Sequence, residues 1–493
     1  MGLGYLFALR VLIIAFVFAA VAGCTSVDPY AAAPIAQRLE REDAIGYCAR
    51  LFADIDRRID TLGVRDAEAP RVAGFPYLRV DRLSAALGQQ SVNNAQQSAW
   101  RARLQHLDEI ARASELANAA LSVDDLPRCR ALLAAADADA IGELRAAAKV
   151  PDRYSVLLRA LGVYPLTRLP FAVGIAKWQS NTRDVFAASP ETLPVRGRLQ
   201  RYAPAGRSST PALPLTPPVL DALGVPQLRA HDVAALLVRH APVLEIDVAA
   251  DSDRPGALVL DRDDRVIVDT KSPVLYTRLT YTLIGGLIHP QLTYSLWFSE
   301  RPAAAGQAFD LLAGKLDGVV WRVTLDHAGE ALVYDTMHAC GCYHLFFPTE
   351  NARPRDLPAT LDESLFVPQT VRAPRTGERV VLRIESGSHY LQRVQVTGEP
   401  DTGSADYALR DERTLTALTR SAGGTRSVYG SNGLISGSER AERWLFWPMG
   451  IASAGQMRQW GHHATAFVGR RHFDDPLLFD AYFEIDAGRI RAH

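Results

Sequence analysis

The sequence predicts an α+β protein, with an N-terminal helical domain followed by a largely antiparallel β-rich domain. Three observations predict it. Apolar residues recur at steps of three or four before residue 187, they alternate with period two after residue 243, and a proline-dense stretch separates the two patterns. The chain is 493 residues long, enough for more than one domain, with 48% hydrophobic and 22% charged residues. That composition excludes a disordered, collagen-like or polytopic membrane chain. Lys+Arg number 54 and Asp+Glu 55, so no excess of charge points to nucleic acid as a partner.

Residues 35–186 form the predicted helical domain. Ile35, Leu39, Ile45, Cys48, Leu51, Phe52, Ile55, Ile59 and Leu62 mostly lie three or four apart, which marks one helix face. The gap between Leu39 and Ile45 leaves open where that helix begins. Further helices are expected near 79–90, 91–120, 125–149 and 153–162, helped by alanine tracts such as Ala134-Ala135-Ala136. Phe75-Pro76-Tyr77-Leu78 reads as a loop with apolar anchors.

Residues 187–218 carry seven prolines and are expected to be a linker or long loop, without a regular helix or a central strand. Residues 219–493 form the predicted β-rich domain. After a helix near 230–240, strands are expected at 243–248, 257–260, 266–268, 292–298, 319–325 and 332–334. More are expected near 379–385, 390–396, 443–447, 463–468 and 478–485. Glu385 and His389 fall at a hairpin tip around Ser386-Gly387-Ser388.

The first 24 residues, MGLGYLFALRVLIIAFVFAAVAGC, have one positive charge, a short apolar run and then small residues before Cys24. The apolar run is short for a membrane span but suits a cleaved signal. Val21-Ala22-Gly23-Cys24 resembles the bacterial lipobox, and the resemblance covers the signal segment only. It implies a lipoprotein signal peptide over 1–23, cleavage before Cys24, acylation of that cysteine and a tether over 24–34. Several acyl chains, each burying ~0.8 kcal/mol per CH₂, make a durable membrane anchor. Thr25 stands where aspartate would retain many such proteins in the inner membrane. The expected location is therefore the outer membrane, facing the periplasm.

The remaining cysteines fall into two pairs. Cys48 and Cys129 both lie on apolar helical stripes and are expected to form a disulfide in an oxidising compartment. Cys340 and Cys342 lie in His338-Ala339-Cys340-Gly341-Cys342-Tyr343-His344. His338, Cys340, Cys342 and His344 share one parity, so a continuing strand would line them on one face. A straight strand would spread them ~20 Å apart, too far for one metal ion, but Gly341 permits a sharp bend. Four readings stay open: a metal site for zinc or copper, a Cys340–Cys342 disulfide, a thiolate nucleophile activated by a histidine, or packing alone.

Outer partners for such a site are His389, His463, His472 and Asp474, the last three within a short histidine- and aspartate-rich stretch. The acidic runs Asp251/Asp253 and Asp261/Asp263/Asp264 read as turns, since they lack an EF-hand pattern. Phosphate-loop, dinucleotide, zincin and nucleophile-elbow motifs are absent from the sequence. The favoured expectation is a lipid-anchored, non-enzymatic binding or scaffolding protein of the cell envelope. Its partners would be the membrane, through the anchor, and a protein or envelope polymer. The alternative is a metal-assisted periplasmic hydrolase using His338, Cys340, Cys342 and His344.

Overall fold

The computed structural model describes residues 28–205, 218–304, 306, 310–358, 360–398 and 403–485. The expected signal segment, residues 1–23, and Cys24 lie outside them. Helices come first and a large, mainly antiparallel sheet follows, as the α+β prediction requires.

The helical part contains α1 (Ile35–Leu39), α2 (Ala44–Leu62), α3 (Arg82–Gln90), α4 (Asn94–Ala119), α5 (Leu126–Ala136) and α6 (Ile141–Ala147). The boundaries follow from capping chemistry. Asp43 accepts hydrogen bonds from the Ile45 and Gly46 N–H groups at the start of α2, and Gly63 ends it in the left-handed region. Asn93 and Gln96 make a reciprocal capping box at the start of α4. The inner face of α2, including Cys48, Phe52, Ile55 and Ile59, packs on Trp100, Leu104, Cys129 and Leu133. Cys48 and Cys129 stand at disulfide distance, with Cα atoms 5.0 Å apart.

A buried ion network ties these helices to a short hairpin, Arg71–Val72 and Phe75–Arg79. Asp108 accepts from Arg130 at 2.6 Å and Arg112 at 2.9 Å, and Glu115 accepts from Arg79 at 2.6 Å. Phe75–Arg79 is a buried strand, not the expected loop. Its pairing with Arg71–Val72 leaves the opposite edge free to accept Pro76, which lacks an N–H.

α7 (Val156–Leu161) matches the helix expected near 153–162, whereas α8 (Tyr164–Ala187) was not anticipated. Its two prolines argue against a helix, but Pro165 sits in the first turn, where proline costs little, and only Pro170 is interior.

The main sheet has ten strands, labelled here in chain order. They are β1 (Arg198–Pro204), β2 (Val243–Val248), β3 (Val274–Ile284), β4 (Leu287–Arg301) and β5 (Gly314–Leu325). Then come β6 (Ala331–His338), β7 (Leu345–Pro348), β8 (Glu378–Ile384), β9 (Leu391–Gly398) and β10 (Ala405–Asp411). The spatial order is β7-β6-β5-β4-β3-β10-β1-β2-β8-β9. Strands β3 to β7 form an antiparallel meander, whereas β10 runs parallel to β1 and β3, and β8 parallel to β2.

β1 lies inside the proline-dense stretch and is an interior strand, contrary to expectation. Counting prolines over the whole window hides the proline-free run Arg198–Ala203. Three other strand expectations fail. Residues 443–446 form α10 (Arg443–Phe446), and residues 463–468 hold only an isolated bridge from Ala464 to His472. Residues 478–485 split into α11 (Leu478–Tyr482) and a short strand, Phe483–Ile485. Runs this short fit helical and strand periods equally well.

The sheet curls on itself. The ring of His389, just before β9, stacks on Phe298 of β4 with centroids 3.8 Å apart, although several strands separate them in the sheet. Residues 366–371 bridge the two open edges. Phe346 N–H donates to Phe366 O and Val371 N–H to Pro348 O on the β7 side, while Gln369 Nε2 donates to Val394 O at 2.6 Å on the β9 side. Inside the curl, Leu244, Ile246, Tyr294, Trp321, Phe347 and Leu382 form one apolar core. The helix α9 (Ala230–His240) and the residues after it close one end. Tyr294 Oη donates to Leu237 O at 2.9 Å, and Tyr407 Oη to Pro242 O at 2.7 Å. The polar residues described next gather at the opposite end.

Candidate functional site

The turn between β6 and β7 bends at Gly341, as its sequence suggested. Gly341 has φ +96°, and a Cβ there would stand 2.7 Å from Ala464 O. The turn is pinned by His338 N–H donating to Cys342 O at 2.9 Å and Gly341 N–H to His338 O at 2.7 Å.

This bend does not unite the four residues. Thr336 pairs with Leu345, and the same register continued sets His338 opposite Tyr343 and Met337 opposite His344. Cross-strand partners share a face, so the two histidines lie on opposite faces of the sheet. The parity argument fails because the chain reverses and the return strand exchanges odd positions for even. His344 Nε2 lies 2.8 Å from Asp335, which is also held by Arg322 at 2.6 Å. His338 Nδ1 faces Asp317 at 3.5 Å on the other side. Among the described residues no group of three or more His, Cys, Asp or Glu side chains is placed to hold a metal ion. The shared zinc or copper site is therefore not formed.

Cys340 and Cys342 are free and almost fully buried. Their thiols hydrogen-bond each other, and that bond together with burial pushes the Cys342 thiol well above its ordinary pKa. Such a thiol is a poor nucleophile. His344 is committed to Asp335, and burial holds it neutral down to about 3. The thiolate-nucleophile and Cys340–Cys342 disulfide readings thus lack support here.

A different constellation forms around His338. Asp317 lies between two histidines, with Oδ2 2.8 Å from His389 Nδ1 and Oδ1 3.5 Å from His338 Nδ1. The far nitrogen of His389 faces Asp253 Oδ1 at 3.5 Å. The result is a buried row, Asp253–His389–Asp317–His338, supplied by the turn after β2, the β8–β9 hairpin tip, β5 and β6. Of the expected outer partners, His389 alone joins it. His463 Nε2–H donates to Ala339 O at 3.1 Å and braces the turn. His472 pairs with Asp152 at 3.2 Å and Asp474 with Arg82 at 3.1 Å, near the boundary with the helices.

Burial opposes charge on every member, and neighbours decide which members keep it. Burial would raise Asp317, but His338 and His389 together hold it well below the usual carboxylate range. Burial would lower His389, but Asp253 and Asp317 outweigh it and raise its pKa. At His338 burial wins over Asp317, and the pKa falls. Near neutral pH, Asp317 is an anion and His338 a neutral imidazole. Its Nδ1–H points to Asp317, and its Nε2 makes no hydrogen bond to a described residue.

Next to His338 lies a part-exposed rim. The Tyr343 ring is 5.1 Å from that of His338 and 4.6 Å from that of Tyr390. Arg301 donates to Tyr390 Oη at 3.1 Å and stacks over its ring at 4.8 Å. Glu442 stands close by, with its pKa pushed up to about 7 by burial against the opposing pull of Arg301 and Arg440. A guanidinium, two phenols, a fixed neutral imidazole and a carboxyl poised near 7 suit recognition of an anionic, hydroxyl-bearing ligand and proton exchange with it.

Sequence reasoning missed Asp317, Asp253, Arg301, Tyr343, Tyr390 and Glu442. Asp317 leaves one trace, as the one carboxylate in the strand run Leu316–Leu325. Asp253 does sit in a turn, where it accepts from Ala249 and Ala250 N–H, but its other oxygen serves His389. No protein-family model, curated protein or solved structure matches the chain.

Proposed function

We propose that this chain is a lipid-anchored protein of the bacterial cell envelope, attached through Cys24 to the outer membrane and facing the periplasm. Its body binds an anionic, hydroxyl-rich envelope partner at the rim formed by Arg301, Tyr343, Tyr390 and His338. The observation that carries the binding part is the concentration of shifted ionisable groups at one end of the curled sheet. Support for the anchor comes from Val21-Ala22-Gly23-Cys24.

A second reading is favoured by one specific feature. His338, oriented by Asp317, has the arrangement of a general base, so the bound partner would also be turned over. Soluble muropeptides carry both carboxylates and sugar hydroxyls and are a suitable probe. The chain starting at Thr25 is expected to bind them, and Arg301→Met and His338→Asn each weaken binding by about tenfold, the loss of one charge-assisted hydrogen bond. Calorimetry reads the binding, and chromatography of the recovered muropeptides reads turnover. Absence of binding, or binding that both substitutions leave unchanged, would remove this site from the account.

A further inference from the structure

Three packed elements, α7, α8 and α10, expose apolar side chains to solvent. On α8, Leu166, Leu169 and Val173 lie on one face at steps of three and four. On α7, Val156 and Leu161 are exposed, and on α10 so is Trp444. These six side chains are between 46% and 71% exposed, far more than isolated surface leucines need to be explained away. The elements that carry them touch. Phe171 of α8 meets Phe446 of α10 with ring centroids 5.2 Å apart, and Gly162, between α7 and α8, lies directly against Pro448.

Cations predominate on this surface. Residues 156–187 contain Arg159, Arg168, Lys177 and Arg183 against one acidic residue, Asp184, in a chain with a formal net charge of -1. Arg443 adds another cation and stacks over the Trp444 ring at 4.7 Å. Arg168 faces Asp362 at 3.6 Å, but Lys177 and Arg443 form no ion pair with a described residue. Exposed Leu, Val and Trp bordered mainly by cations are the composition of an element that lies in a membrane interface. Among the described residues no helix is long and apolar enough to cross a membrane.

We propose that the α7–α8–α10 surface docks on an anionic phospholipid bilayer, giving the body a second, non-covalent membrane contact. The occupant is a lipid surface and not another copy of the chain, because a second copy would set the same cations against themselves. Nor does the proposal depend on acylation of Cys24, and the two are separable by experiment.

A chain starting at Thr25 retains every described residue and lacks the lipid site. Mixed with vesicles of phosphatidylethanolamine containing about 30% phosphatidylglycerol, it is expected to float with them, and much less with pure phosphatidylcholine. Trp444 fluorescence should shift to the blue, with Trp444→Phe identifying the signal. Leu166→Glu combined with Val173→Glu should weaken flotation by at least about tenfold without moving the urea midpoint, since both side chains are exposed. Lys177→Glu with Arg443→Glu should remove the preference for anionic vesicles. The proposal is overturned by absence of flotation, by flotation that the Leu166/Val173 pair leaves intact, or by a soluble dimer that this pair dissociates in the absence of lipid binding.

Discussion

Asp317→Asn is expected to lower the unfolding free energy by about 3–5 kcal/mol, the usual cost of breaking a buried ion pair by removing one partner. Asp317 is 2% exposed and serves His389 at 2.8 Å, His338 at 3.5 Å and Arg440 at 4.0 Å. The amide keeps the shape but loses the charge, so His389 keeps only Asp253 at 3.5 Å. The pH dependence has a definite sign. Asp317 is depressed, so its contribution is present above the ordinary carboxylate range and lost as pH falls through its lower folded value. His389 is raised, so its contribution is present below the ordinary imidazole value and lost as pH rises through its folded value. The difference between wild type and variant should therefore be largest between about pH 4 and 6.5 and shrink towards pH 8. Urea unfolding at pH 5 and pH 8 checks both size and direction. A loss below about 1 kcal/mol at pH 5 would mean that the row of charges does not hold this end of the sheet together.

Replacing Cys48 and Cys129 by serine together is expected to cost about 4 kcal/mol, as chain-entropy theory gives for the long loop they close. The residues are 81 apart in sequence and join α2 to α5 across the helical core. Both side chains are fully buried, so serine also places two hydroxyls among apolar neighbours. Non-reducing urea unfolding of wild type and double variant measures the difference. Equal midpoints would contradict a covalent link in the mature protein.

Much of the fold was legible in the sequence. Where a pattern persisted long enough to fix its period, as over Ala44–Leu62, Asn94–Ala119, Val243–Val248 and Val319–Leu325, the elements lie where expected. Residues 443–446 and 478–482 are too short to distinguish the two periods. The site was legible only in part. His338 and His389 were singled out, yet their connection runs through Asp317, which is remote from both in the chain. His338 and His344 were joined by a parity rule valid on one strand, and a turn of odd register separated them. Curling of the sheet, which brings the β8–β9 tip against β4 and β5, has no local signature at all.

Mass spectrometry of the amino-terminal peptide from the cell's membrane fraction should find a chain that begins at Cys24 and carries acyl groups. A peptide that retains residues 1–23 and an unmodified Cys24, recovered from the soluble cytosolic fraction, would contradict attachment through Cys24.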